Sequence, residues 1–282
     1  MSTATVLMQG PITVMAYRCE AGHTEAPYVE VHASHSLSYV RRGTFGYHSR
    51  GASFEMTPGC LLVGRGGDEF VCTHDHHLGG DECLSLQFSD EWLEASALPT
   101  QVGSSRAIPP LPELMMLGEL ALSCAEGGQD IALEEAALFL VSRFLGMGTE
   151  PAQSASRIDA RTRRRMVEAA LWIEEHASRE LTLEQIARTT GMSACHFLRV
   201  FSRVLGVTPH QYLLRSRLRR AARLLTARDL SVTEIAYAVG FGDLSNFTRT
   251  FQRAAGVSPR AFRNASARAR VALAARPEVV LD

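Results

Sequence analysis

The chain has 282 residues, 46% of them hydrophobic and 21% charged, with a formal net charge of −1, a balance that excludes a disordered chain. Its length is about twice that of a usual domain, so two domains with cores of their own are expected, while 6 Cys are too sparse for a disulfide scaffold. No apolar run approaches the ~18 residues of a membrane span, and the first residues lack the basic and apolar regions of a signal peptide; a cytoplasmic protein with reduced thiols and no membrane partner is expected.

The charge is divided unevenly. Residues 1–156 hold 7 Arg and 19 acidic residues, a net of −12, whereas residues 157–282 hold 22 Arg and 11 acidic residues, a net of +11. All 29 basic residues are Arg. An acidic module followed by a basic one that meets an anionic polymer is the reading of that split.

In chain order, short runs rich in β-branched and aromatic residues at 12–17, 28–31, 37–40, 44–48, 53–56, 61–63, 69–72 and 84–88 are broken by Gly, Pro and Asp. Such spacing predicts a sandwich or small barrel. Within it lies Cys72-Thr-His-Asp-His-His-Leu-Gly-Gly-Asp-Glu-Cys83. On a strand Cys72, His74 and His76 share one face, and Cys83 follows a Gly-Gly turn, from which the chain could return as a hairpin. Two imidazoles and two thiolates suit zinc or another transition metal. The spacing matches no firm zinc signature; Asp75, His77, Asp81 or Glu82 could replace a ligand. The alternative is a polar, exposed hairpin tip with one or two buried cysteines; His32 and His35 could complete a metal site or be surface residues, and the second reading is preferred.

From Leu111 the period changes to i, i+3, i+4, i+7 through Leu114, Leu117, Leu120 and then Leu133, Ala137, Leu140, Phe144, which predicts a helical hairpin. Its stripes could pack on the barrel, on a second subunit, or on both. The small, polar residues 151–160 form the expected linker between a domain at 1–150 and one at 161–265, with a weakly ordered tail at 266–282.

Residues 181–212 and 230–262 repeat one another. Leu181-Thr-Leu-Glu-Gln-Ile-Ala187 aligns with Leu230-Ser-Val-Thr-Glu-Ile-Ala236, and Phe197/Phe247, Arg199/Arg249, Phe201/Phe251, Gly206/Gly256 and Pro209/Pro259 follow in register. Two copies are too few for a solenoid. Thr182 with Gln185 and Ser231 with Glu234 are capping boxes, and Gly191 and Gly240 can end the first helix of each copy in the left-handed region. Each copy is therefore helix, Gly turn, helix, the helix-turn-helix arrangement. The second helices, at about 193–205 and 243–255, bury Phe197, Val200, Phe201, Phe247 and Phe251, leaving Cys195, His196, Arg199, Ser245, Asn246 and Arg249 to point outward. Between the copies, residues 208–226 span roughly 28 Å as a helix, a size suited to spacing two readers of successive major grooves.

Here the sequence resembles the AraC/XylS transcriptional regulators, most closely in Ile235-Ala-Tyr-Ala-Val-Gly-Phe-Gly-Asp-Leu-Ser-Asn-Phe-Thr-Arg-Thr-Phe and on to Arg263. The resemblance covers about 165–263 and implies a seven-helix module with two helix-turn-helix units. By motif position it implies DNA contacts from Cys195, His196, Arg199 and Arg203 in the first unit and from Ser245, Asn246, Arg249 and Arg253 in the second. Ala194 and Cys195 depart from the larger or polar groups the family often places there, which puts more weight on His196 and Arg199. A more weakly marked likeness, at Met56-Thr-Pro-Gly-Cys-Leu-Leu-Val63, is to the Pro-Gly turn of a cupin-like barrel, implying an effector-binding domain with the hairpin as dimerisation surface.

The fold expected is thus α+β: a cupin-like β-barrel with a helical hairpin, then an all-α double helix-turn-helix domain. The expected function is a transcription regulator, an activator by the family's commoner mode. Its partners would be double-stranded promoter DNA, RNA polymerase, a small-molecule or metal effector and a second copy of the chain. No catalytic residue is expected, since no Gly-x-Ser-x-Gly, Walker A or Rossmann fingerprint occurs. The alternative is a metal-dependent cupin enzyme or ligand-binding protein whose helix-turn-helix units serve as a protein-interaction module.

Overall fold

The computed structural model describes residues 2–22, 26–74, 80–96, 107–126, 130–147, 158–227 and 229–264, with the backbone alone at 130–132 and 264. His76, most of the expected linker (151–157) and the tail at 266–282 lie outside the described residues.

The first half is rich in sheet. Its strands are β1 (Ser2–Met8), β2 (Thr13–Cys19), β3 (Val29–Val31), β4 (His35–Arg42), β5 (Phe45–Ser49), β6 (Ala52–Met56), β7 (Leu61–Gly64), β8 (Glu69–Thr73), β9 (Asp81–Phe88) and β10 (Ala107–Ile108), with the short helix α1 (Asp90–Ala95) after β9. One sheet has the order β1-β2-β9-β4-β7-β10 and the other β3-β8-β5-β6. Their described pairings are antiparallel.

The larger sheet is covered on both faces, and its sequence shows it. Leu37, Tyr39, Leu61, Val63, Leu84, Leu86 and Phe88 join the core on the helical side. Val40 and Leu62, from the alternate positions, join Tyr47, Phe54 and Met56 between the two sheets. Burial of both faces explains the unbroken apolar run Leu61-Leu62-Val63, since alternation is required only where one face meets water.

The helical hairpin is α2 (Pro112–Glu126) and α3 (Asp130–Gly146). In α2 every residue from Leu114 to Leu122 is buried, as befits a helix covered all round. Gly118 is obligatory there: a Cβ would lie 2.5–2.7 Å from the ring of Tyr39 on β4.

The second half holds α4 (Ala160–Glu175), α5 (Leu183–Thr189), α6 (Ala194–Leu205), α7 (Pro209–Ala227), α8 (Val232–Ala238), α9 (Leu244–Ala255) and α10 (Pro259–Asn264). Its first helix-turn-helix unit has its own core around Phe197, Phe201 and Tyr212. The core of the second, with Ile235, Phe247, Phe251 and Phe262, is continuous with α2 and the larger sheet. The apolar core therefore does not divide where the chain passes from sheet to helices. No helix among the described residues is long and apolar enough to cross a membrane.

Candidate nucleic-acid interface

The two helix-turn-helix units are built by capping. Thr182 Oγ1 accepts from the Gln185 amide at 3.2 Å while the Gln185 side chain accepts from the Thr182 amide at 2.8 Å. Ser231 and Glu234 repeat the exchange at 3.1 and 2.7 Å, and those hydrogen bonds hold the Glu234 carboxyl below its usual range. Gly191 (φ +63°) and Gly240 (φ +97°) lie in the left-handed region just past α5 and α8. Ser193 and Asp243 then cap α6 and α9 by accepting from the His196 and Asn246 amides.

On α6 and α9 the apolar stripe turns inward, with Phe197, Phe201, Phe247 and Phe251 wholly buried. Cys195, His196, Arg199 and Arg203 of α6 are all exposed, and so are Ser245, Asn246, Arg249 and Arg253 of α9. The sequence repeat thus becomes two equivalent outward faces. His196, Arg199 and Arg203 also line a groove of about 550 Å³ with Asp159 and Thr162 at the start of α4.

Between the units, α7 has 19 residues, roughly 28 Å at 1.5 Å per residue. It is held from its middle. Arg217 donates to the carbonyls of Ala177 and Arg179 at 2.7 and 2.8 Å and lies over the Phe241 ring, 5.9 Å from its centre. A Cβ on Gly240 would sit 2.8 Å from the Ala177 oxygen, so the same turn receives both Arg217 and the second unit.

The Arg residues of α7 do not simply decorate a basic surface. Arg219 is 2% exposed; it donates to the Pro58 carbonyl in the Pro-Gly turn and to Glu174 at 2.7 Å. Burial acts to strip its proton, but Glu174 and the Tyr212 and Tyr39 hydroxyls hold the guanidinium charged. Arg223 forks onto both Glu119 oxygens at 2.8 Å. Glu119, buried in α2, also accepts from the Tyr39 hydroxyl at 2.7 Å, and burial together with Glu119 pushes the Tyr39 phenol well up. Arg163 of α4 reaches Glu55 of β6 at 2.9 Å. The sheets, the hairpin and the helices of the second half are thus joined by ion pairs as well as by the shared core. The partners of these Arg residues lie about 45 to 160 positions away in the chain.

In the sheet-rich half the His/Cys cluster has a different membership from the one read in sequence. Cys72 lies in β8 and His74 just beyond its end. His74 Nε2 is 3.5 Å from Cys19 Sγ and 3.2 Å from Asp81 Oδ2, while Cys83 Sγ lies 3.9 Å from the other Asp81 oxygen. Burial, then the Asp81 carboxylate, pushes the Cys83 thiol well up. Cys19 was not legible as a member because it joins through the β2–β9 register, in which it opposes Asp81. His32 is half-buried and His35 buried, and neither lies at this cluster. His32 stacks on Phe70 and bonds the Tyr47 hydroxyl at 2.9 Å, and His35, 6% exposed, bonds Asp90 at 2.7 Å.

A helical domain presenting two matched helix-turn-helix faces defines a DNA-binding transcription regulator. Residues 186–265 match the family described as a helix-turn-helix domain. The chain is 27% identical over 249 residues to the HTH-type transcriptional activator RhaS of Salmonella schwarzengrund (strain CVM19633), covering 82% of this chain and 86% of that one. RhaS of Klebsiella pneumoniae (strain 342) is 37% identical over 126 residues, 45% of this chain and 44% of that one. A solved regulator with an AraC-type DNA-binding domain from Chromobacterium violaceum is 30% identical, spanning 37% of this chain and 94% of that one with a TM-score of 0.35. The chain is thus similar to transcriptional activators over most of its length and carries a helix-turn-helix domain at 186–265.

Proposed function

We propose that the chain is a promoter-binding activator in which residues 161–265 read DNA through α6 and α9 and residues 1–150 form a cupin-like, effector-sensing domain. The supporting observation is the exposure, in equivalent positions of the two units, of Cys195, His196, Arg199 and Arg203 and of Ser245, Asn246, Arg249 and Arg253. Arg199 and Arg249 recur in register, and Arg is suited to bidentate bonds with guanine O6 and N7. With α2 covered on all sides, α3 is the part of the hairpin left to meet a second subunit. The Pro-Gly turn of the sheet domain seats Arg219, so a change in the sheets at that turn reaches α7 directly. In this reading the protein acts in the cytoplasm with RNA polymerase as its further partner, and its sheet domain binds rather than turns over its ligand.

The test is binding to promoter fragments found by a genomic binding map. Arg249→Ala should weaken specific binding by about 1–3 kcal/mol, or 5- to 150-fold, and relax the base preference in one half-site. An unchanged footprint and affinity would mean that α9 does not read the DNA.

A further inference from the structure

We propose that Cys19, His74 and Asp81 hold a zinc-class divalent cation and that this ion is the effector of the sheet domain. The inference rests on the effector-sensing reading above and names the chemical class of that effector.

The geometry carries it. The three ligand atoms of Cys19, His74 and Asp81 all lie within 4.8 Å of one another. Around a tetrahedral zinc with bonds of about 2.3 Å to sulfur and 2.0–2.1 Å to nitrogen or oxygen, the S···N edge comes to about 3.5 Å and the N···O edge to about 3.3 Å. The structure has 3.5 Å for Cys19 to His74 and 3.2 Å for His74 to Asp81. One imidazole, one carboxylate and one thiolate make a donor set suited to zinc rather than to calcium or magnesium, which take oxygen.

Three elements converge to build this set, which spans both sheets. Cys19 ends β2 and Asp81 begins β9, directly opposed in the larger sheet, and His74 follows β8 of the smaller one. Close backbone approach makes room for the convergence: a Cβ on Gly80 would lie 2.2 Å from the Cys19 oxygen, and one on Gly43 2.1 Å from the Gly80 oxygen. Both glycines have positive φ, +68° and +76°. The ligands are sheltered, with the His74 and Asp81 side chains 12% and 10% exposed. A His–Asp hydrogen bond alone would account for two of these residues. It leaves unexplained why the Cys19 thiol meets the same imidazole and lies within 4.8 Å of the carboxylate.

The site also touches the path to the DNA-binding helices. Glu82, next to Asp81, lies 3.8 Å from the Arg41 guanidinium, and Arg223 of α7 donates to the Arg41 carbonyl at 3.3 Å.

The test uses the full chain purified without a His tag and stripped with a chelator. Titration with Zn²⁺ should give one ion per chain, and Co²⁺ should give the visible absorption of a tetrahedral thiolate complex. Cys19→Ser and His74→Ala should each weaken Zn²⁺ binding by at least about tenfold, since even second-sphere changes cost that much, whereas the exposed Cys195→Ser should leave it unchanged. Sub-stoichiometric uptake, a Co²⁺ complex without thiolate character, or loss of the ion in Cys195→Ser would overturn the site. The Co²⁺ spectrum of the unaltered protein decides this even where a variant fails to fold. Adding Zn²⁺ to the stripped protein should shift promoter affinity by about fivefold or more; equal affinities would overturn the effector role and leave the site. Failure to bind promoter DNA at any Zn²⁺ level would instead overturn the promoter-binding function, independently of the stoichiometry.

Discussion

Single side chains in this protein are worth what their surroundings make them. Arg143 and Arg223 both pair with a Glu, yet the pairs differ in kind. Arg143–Glu113 lies at the surface, with 44% and 35% of the side chains exposed, and water screens it. Arg223 is half exposed, but its partner Glu119 has only 2% of its side chain accessible. Removing Arg223 leaves a buried carboxylate with the Tyr39 hydroxyl as its remaining bond among those described above. Arg223→Ala should therefore destabilise the fold by about 2–4 kcal/mol, and Arg143→Ala by less than about 1 kcal/mol. Denaturant melts of the two variants measure the contrast, and equal losses would show that the Glu119 site is hydrated. The outward residues of α6 and α9 obey the opposite logic: none is needed for packing, so changes at Arg199 or Arg249 should affect DNA binding with little change in melting temperature.

At the scale of elements, the two helix-turn-helix units have the same sequence grammar in different settings. Capping boxes, left-handed glycines and paired Phe residues were legible in the chain because each depends on neighbours within about five positions. What differs is what stands beside each turn. A methyl group on Gly191 would meet only the tip of Arg165, at 3.3 Å, so Gly191→Ala should cost about 1–2 kcal/mol, the left-handed penalty alone. A methyl group on Gly240 would meet the Ala177 oxygen at 2.8 Å and the Ser178 carbonyl group at 2.9 Å, and backbone yields poorly. Gly240→Ala should lower the melting temperature more than Gly191→Ala; the reverse order would mean that the turn at Ala177 is not fixed. The hairpin shows the limit of periodicity. Its helical stripes were readable, but not that α2 would be enclosed by the sheet on one side and by α7 and α9 on the other.

For the whole molecule, the near-neutral charge conceals an acidic half docked on a basic one. Several of the Arg residues counted in the basic half, among them Arg163, Arg219 and Arg223, spend their charge on Glu55, Glu174 and Glu119. The electrostatic footprint on DNA is accordingly smaller than the count of 22 Arg suggests. Binding to promoter DNA should weaken as salt rises, with a slope of about −0.9 per phosphate neutralised. Arg203→Ala or Arg253→Ala should reduce that slope by about one if either meets phosphate, whereas Arg163→Ala should leave it unchanged. A reduced slope in Arg163→Ala would show that this residue leaves Glu55 to bind DNA.

The sequence by itself determined the double helix-turn-helix domain, its caps and its outward residues, because these rest on local periodicity and on a repeat visible within one chain. It marked Cys72, His74 and Cys83 as chemically notable for the same reason of nearness. The tertiary structure decided what distance hides: the β2–β9 register that brings Cys19 to His74, and the burial of Arg219 against the Pro58 turn. It also placed α2 inside rather than outside. Each depends on elements far apart in the chain meeting in one place, and strand order and helix docking are not encoded in the spacing of any single segment.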